Sequence, residues 1–139
     1  MSGARHLALA AMLLAAAAWP AATALAQSAE PAPPPPAGAS EQVLQGARLF
    51  HQHCSLCHGA RGRDAQVFPR PIWGPGHDIA KFGDAKGLFE YLQLLMPFDN
   101  PQKIDDASKL AILAYMLVRN GNLPAAQSLP AGGGGTPIK

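Results

Sequence analysis

The segment Cys54-Ser55-Leu56-Cys57-His58 decides how this chain is read. In a C-x-x-C-H string both thiols can add to the two vinyl groups of one haem, and the adjacent imidazole is placed to bind the iron from one face. The spacing matters because the vinyls sit a fixed distance apart on a rigid ring. On this reading Cys54 and Cys57 form covalent thioethers, and His58 is the proximal iron ligand. Three other chemistries use the same residue types. A redox-active C-x-x-C belongs in a thioredoxin-like strand–helix setting, and no βαβ pattern is present. A zinc site takes about four ligands, and the chain has two Cys in all. A disulfide between Cys54 and Cys57 would close a very small loop and leave His58 without a role.

Thioether attachment needs an oxidising compartment, and a second part of the chain points to one independently. Residues 1–26 look like a secretory signal: Arg5 gives a basic start, residues 7–18 are apolar, and Ala24-Leu25-Ala26 is a small-x-small cleavage site. The apolar run stops at Trp19-Pro20, too short to cross a hydrocarbon core of ~30 Å as a helix. Cleavage after Ala26 and export to the periplasm are expected, with an uncleaved anchor as the alternative. No Cys follows the cleavage site to carry a lipid, and no membrane span is expected after cleavage.

Residues 27–39 include the string EPAPPPPAGA, a polyproline-type linker without side chains that could enter a core. Residues 124–139 carry four consecutive glycines and read as a flexible Gly/Pro-rich tail. The folding unit is therefore expected at 40–123, a size at which small domains commonly need a metal, a disulfide or a cofactor. The 48% hydrophobic content overstates its core, because 12 of the 27 alanines lie in the first 26 residues. A formal charge of +2 with no long Lys/Arg run argues against nucleic acid as the main partner.

Periodicity gives an all-α unit. Ser40 can cap a helix over Glu41–His53, with Val43, Ala47, Phe50 and Cys54 on one stripe. Asp84 can cap a second, in which Leu88, Tyr91, Leu92 and Leu95 align, and Pro97 stops it. Asp105 or Asp106 starts a third, over 107–119, ended by Asn120-Gly121. Its apolar face runs through Leu110, Leu113, Ala114 and Leu117 and is widened by Ile112, Tyr115 and Met116, so it should be covered on two sides. Residues 59–83 form a long Gly- and Pro-containing loop, the kind that is functional or wraps something that is not protein.

A ligand for the far side of the iron has few sources. Beyond the signal, Met96 and Met116 are the thioethers. Met116 sits mid-helix on an apolar stripe and reads as a core residue. Met96 lies at a helix end before Pro97, where the chain leaves in a stiff extended path, and is the expected distal ligand. His77, in the long loop, is a rival; His51 and His53 share the helix that precedes the attachment site and lie on the proximal side.

These features resemble the monohaem class I cytochromes c. The resemblance covers about 41–123: Gly46 and Phe50 ahead of Cys54-x-x-Cys57-His58, then Met96-Pro97, then a closing helix with Tyr115. It implies a cytochrome c fold, with three main helices and a long loop around one covalently attached haem c and its iron, and first and last helices crossing at Gly46. In that family a loop proline carbonyl commonly accepts the proximal His N–H, and both Pro69 and Pro71 are candidates here. Trp73 is a candidate for packing on the porphyrin or for an exposed loop position. The string Met96-Pro97-x-x-x-Pro101, with Ala114-Tyr115 to Asn120-Gly121, further resembles small cytochromes that accompany dehydrogenases.

A His/Met-ligated iron has no open position, which suits electron transport rather than oxygen activation. The expected function is a periplasmic one-electron carrier and not an enzyme, passing electrons from a dehydrogenase donor to a cytochrome or oxidase acceptor. The alternatives are a haem subunit held within a dehydrogenase complex, and a ligand-binding or peroxidase-type haem protein in which Met96 is displaced.

Overall fold

The computed structural model describes residues 33–63 and 65–139. The expected signal at 1–26 and the start of the 27–39 linker lie outside the described residues. Helix α1 spans Glu41–His53, α2 Ser55–His58, α3 Ala85–Leu95 and α4 Asp106–Arg119, with single 3₁₀ turns at Ile79–Phe82 and Pro101–Lys103. The described chain is all-α: its sole β pairing is an isolated bridge between Asp84 and Pro137.

Each long helix starts where a side-chain oxygen can meet an orphan N–H of the first turn. Ser40 Oγ accepts from Val43 N–H at 3.4 Å, Asp84 Oδ1 from Gly87 N–H at 2.9 Å, and Asp105 Oδ1 from Ser108 N–H at 2.8 Å. Asp105 is thus the cap of α4 and Asp106 its first residue. The far end of α4 closes as a Schellman turn: Gly121 N–H donates to the Val118 carbonyl and Asn122 N–H to that of Leu117.

Residues 111–117 of α4 are all buried, between α1 on one side and α3 on the other. The α1–α4 crossing is set by Gly46. A Cβ there would lie 1.9 Å from the Ala111 carbonyl oxygen, so the two backbones touch. Phe50, Trp73 and Tyr115 pack beside the crossing, with ring centroids 4.9 to 5.8 Å apart. Trp73 is 5% exposed and takes its place in this aromatic cluster rather than on the surface.

The Gly/Pro-rich segment 124–139 corrects the expected flexible tail, and with it the boundary at residue 123. It crosses the N-termini of α1 and α3 as a strap. Ser40 N–H and Oγ donate to the Ala125 and Gln127 carbonyls, and the Gln42 carboxamide makes a two-way pair with the Leu129 backbone. Further along, the carbonyls of Gly134 and Thr136 accept from Lys86 and Ala85 N–H, the orphan donors of the first turn of α3. Leu129 and Ile138 are buried in the core. The glycines are what let the chain lie so close: Gly133 has φ +87, and a Cβ there would sit 2.9 Å from the Ala85 carbonyl oxygen.

Two substitutions test these contacts by urea unfolding. Gly46→Ala should cost about 2 kcal/mol or more, because the added methyl meets backbone and forces the helices apart. Ile138→Ala should cost about 2 kcal/mol, whereas a tail without contacts predicts no change.

Candidate functional site

The C-x-x-C-H segment is shaped by the end of α1. Cys54 caps that helix, its N–H donating to the Phe50 carbonyl at 2.8 Å. The Cys54 carbonyl then accepts from both Cys57 N–H, at 3.2 Å, and His58 N–H, at 2.9 Å, winding the next residues into the single turn of α2. Residues three apart on such a turn are neighbours, so both thiols reach one cavity. The loop returns to this turn through Phe68, whose N–H donates to the Cys57 carbonyl at 3.1 Å and whose ring meets the His58 imidazole edge-on at 5.0 Å.

That cavity has a volume of about 690 Å³, and Cys54, Cys57, His58 and Met96 all line it. Much of its wall is aliphatic: Ile72 and Ile79 from the long loop, Leu88 and Leu92 from α3, Ile104 and Ile112 from the α4 side. Exposed Leu56, Val67 and Phe98 also line it. Its size falls within the ~300–1,000 Å³ of sites that take a cofactor-sized group. The donor set fits a haem: two sulfurs, an imidazole and thioethers around an apolar slot.

Burial tunes these groups. It pushes the Cys54 thiol up to about 12, with Cys57 adding to the shift. Cys54 therefore stays a protonated thiol at neutral pH, the opposite of the activated thiolate of a redox C-x-x-C. Desolvation also lowers the pKa of His58, favouring the neutral imidazole that binds metals. Its Nδ1 is buried and has no hydrogen-bond partner. Neither Pro69 nor Pro71 supplies the carbonyl for it, and the Pro71 carbonyl instead accepts from Asp78 N–H at 3.1 Å.

Met96 ends α3. Its N–H still bonds the Leu92 carbonyl, while its own backbone is extended (φ −126, ψ 139) and leads into a cis peptide to Pro97. Met116 lines the same cavity from α4 and is 4% exposed. His53 also contributes to the wall, but His51 and His77 do not. His77 is engaged elsewhere, with Nε2 3.0 Å from the Lys139 carbonyl and 3.3 Å from Asn120 Nδ2. Trp73 is absent from the lining, so its aromatic face serves the helix crossing and not the cavity. Among the described residues no group of three or more His, Cys, Asp or Glu side chains could hold a metal ion, and no helix is long and apolar enough to cross a membrane.

Sequence reasoning missed one wall residue of consequence. Lys109, 3% exposed, lines the cavity from α4. The signal was there, since Lys109, Ile112 and Met116 follow the i, i+3, i+7 spacing of a single helix face.

No known family's profile matches the chain, and no curated protein matches it. Among solved structures it is similar to the sulfane dehydrogenase SoxCD from Paracoccus pantotrophus, with 22% identity and a TM-score of 0.47. That match covers 66% of this chain and 48% of the other, so the chain spans about half the length of the structure it matches.

Proposed function

We propose that this protein is a periplasmic one-electron carrier of the cytochrome c fold, with one haem c bound covalently through Cys54 and Cys57 and ligated by His58 and Met96. The observation that carries this reading is the convergence of both thiols, the imidazole and the Met96 side chain on one largely apolar cavity. A haem held by these residues would supply a ferric/ferrous couple for electron transfer, and a Met ligand favours a raised potential. The chain's residues do the rest. Cys54 and Cys57 would anchor one edge of the group, and a neutral His58 is ready to ligate. The aliphatic wall excludes water and keeps the local dielectric low. Leu56 and Phe98, 87% and 88% exposed on the lining, let a redox partner approach without an expensive polar desolvation step.

A dehydrogenase is the donor in this proposal, and a cytochrome or oxidase the acceptor. No catalytic residue is assigned. The second reading, a haem subunit fixed within a dehydrogenase complex, is favoured by the exposure of Leu94 and Leu95 close in sequence to Phe98, since obligate interfaces are the more apolar kind. Co-purification of a larger subunit from the native source separates the two.

Attachment is tested on the exported protein. Haem should remain with the chain through acid–organic extraction and denaturing electrophoresis, and Cys54→Ala and Cys57→Ala should each mature poorly. A denatured wild-type band without haem colour would sink the proposal.

Distal ligation is tested by the weak red-edge thioether–iron absorption of the ferric protein. Met96→Ala should abolish it, admit carbon monoxide to the ferrous protein and lower the potential. Met116→Leu should leave it in place. The reverse pattern would reassign the ligand to Met116.

A further inference from the structure

We propose that Lys109 is a positioning residue for Met96 and a deliberate positive charge on the cavity wall; this deepens the haem reading above and rests on it. Lys109 is the sole charged side chain among the buried residues described. Burying an ammonium costs several kcal/mol unless it is well partnered, so the position needs an explanation beyond packing. Five Asp and Lys side chains line the cavity. Four of them pair: Lys81 with Asp78 at 2.7 Å, and Lys103 with Asp99 at 3.9 Å. Lys109 has no carboxylate within ion-pair distance among the described residues. Its Nζ donates to one acceptor, the Gln93 carbonyl, at 3.0 Å.

That carbonyl belongs to the last turn of α3, where the backbone acceptors have no partner within the helix and the dipole is negative. A lysine there is a C-terminal cap. The turn it caps is the one that delivers Met96, three residues on. The Leu92 carbonyl is held by Met96 N–H itself at 3.1 Å. The Gln93 side chain donates to Asp106 Oδ2 at 2.8 Å. Gln93 is therefore tied to α4 twice, once through its backbone by Lys109 and once through its side chain by Asp106. These ties fix where α3 stops and so where the thioether lies. The same ammonium faces a low-dielectric cavity, where a cation disfavours the more positive oxidation state of whatever redox group the cavity holds. A unit charge ~10 Å from a redox centre, at an effective dielectric of ~20, shifts such an equilibrium about tenfold.

The test uses the exported holoprotein with Lys109→Met, Lys109→Gln and Lys109→Arg. Haem retention on denaturing gels is read first, in the wild type, because its absence there removes the parent reading and not this one. In the neutral variants haem should stay attached. The ferric thioether absorption should weaken by at least about half, and the oxidised-to-reduced ratio at a fixed ambient potential should rise at least about threefold. Lys109→Arg, which keeps the charge and a donor, should recover most of both. A merely structural lysine would lower the urea midpoint and leave absorption and ratio alone. Either neutral variant with wild-type absorption and ratio overturns the proposal while the haem reading stands. Should neither neutral variant mature, Asp106→Ala decides. It frees the Gln93 side chain at an exposed site and should weaken the absorption; an unchanged absorption shows that the ties of Gln93 to α4 do not set where Met96 lies and overturns the positioning role.

Discussion

The architecture depends on the contact between the α1 and α4 backbones at Gly46 and the Ala111 carbonyl. Bringing two helices this close does two things at once. It packs Phe50 and Tyr115 against Trp73 in tilted and edge-on contacts, forming the aromatic part of the core. It also fixes the direction in which the end of α1 points, and the C-x-x-C-H turn follows directly from that end through the Cys54 cap. One face of α4 is spent on α1, and another, carrying Lys109, Ile112 and Met116, is left to wall the cavity. A side chain at residue 46 would push α1 away from α4, so the site inherits its shape from a residue that does not line it.

Helix α3 is the second wall, and it is held at both ends by groups far away in sequence. Carbonyls of the C-terminal strap meet its first two N–H groups, Asp84 meets the third, and Lys109 caps its last turn. An eleven-residue helix is marginal by itself, because isolated helices below ~12–15 residues gain too few bonds to offset nucleation. Capping from both sides therefore turns a weak element into a rigid wall. The strap also reaches the long loop, since Ile138 N–H donates to the Gly83 carbonyl and His77 meets the Lys139 carbonyl. The segment richest in glycine thus joins α1, α3 and the loop.

What the sequence disclosed follows from which interactions are local. The caps at Ser40 and Asp84, the stop before Pro97 and the Asn120-Gly121 ending all act within a few residues and appear where their patterns place them, and of the two candidates for the last helix the cap is Asp105. Cys54, Cys57 and His58 form a contiguous motif and Met96 sits at a proline-terminated helix end, and what the fold adds is that all four line one cavity. The strap was not legible, because composition marks Gly and Pro as loop formers and says nothing of where their carbonyls go. Only Leu129 and Ile138 hinted that the segment had a core to join. Trp73 was ambiguous for a similar reason: a loop aromatic has no periodicity, and its neighbours Phe50 and Tyr115 lie on two different helices. Lys109 was readable as part of a helix face, but charge normally marks the solvent side, and the burial of this one depends on a carbonyl of another helix.

The electrostatics of the cavity share one direction. Burial keeps His58 towards its neutral form and Cys54 a thiol, so neither adds a charge to the wall. The carboxylates that line it are each matched by a neighbouring lysine, and Asp78 is held below its ordinary range first by its hydrogen bond to Lys81. These pairs are exposed, with Arg70 a second cation 3.7 Å from Asp78, so solvent screens them and they contribute little to stability. Among the described residues the one buried charge on the wall is the ammonium of Lys109. A chain selecting for stability alone gains by placing an apolar residue there, since breaking even with a buried ion requires good partners. Retaining a lysine instead gives the cavity a net preference for the less positive state of its contents and, through Gln93, a fixed end to the helix that carries Met96. In the proposed haem protein a single side chain would thus couple the position of Met96 to the energy of the redox couple.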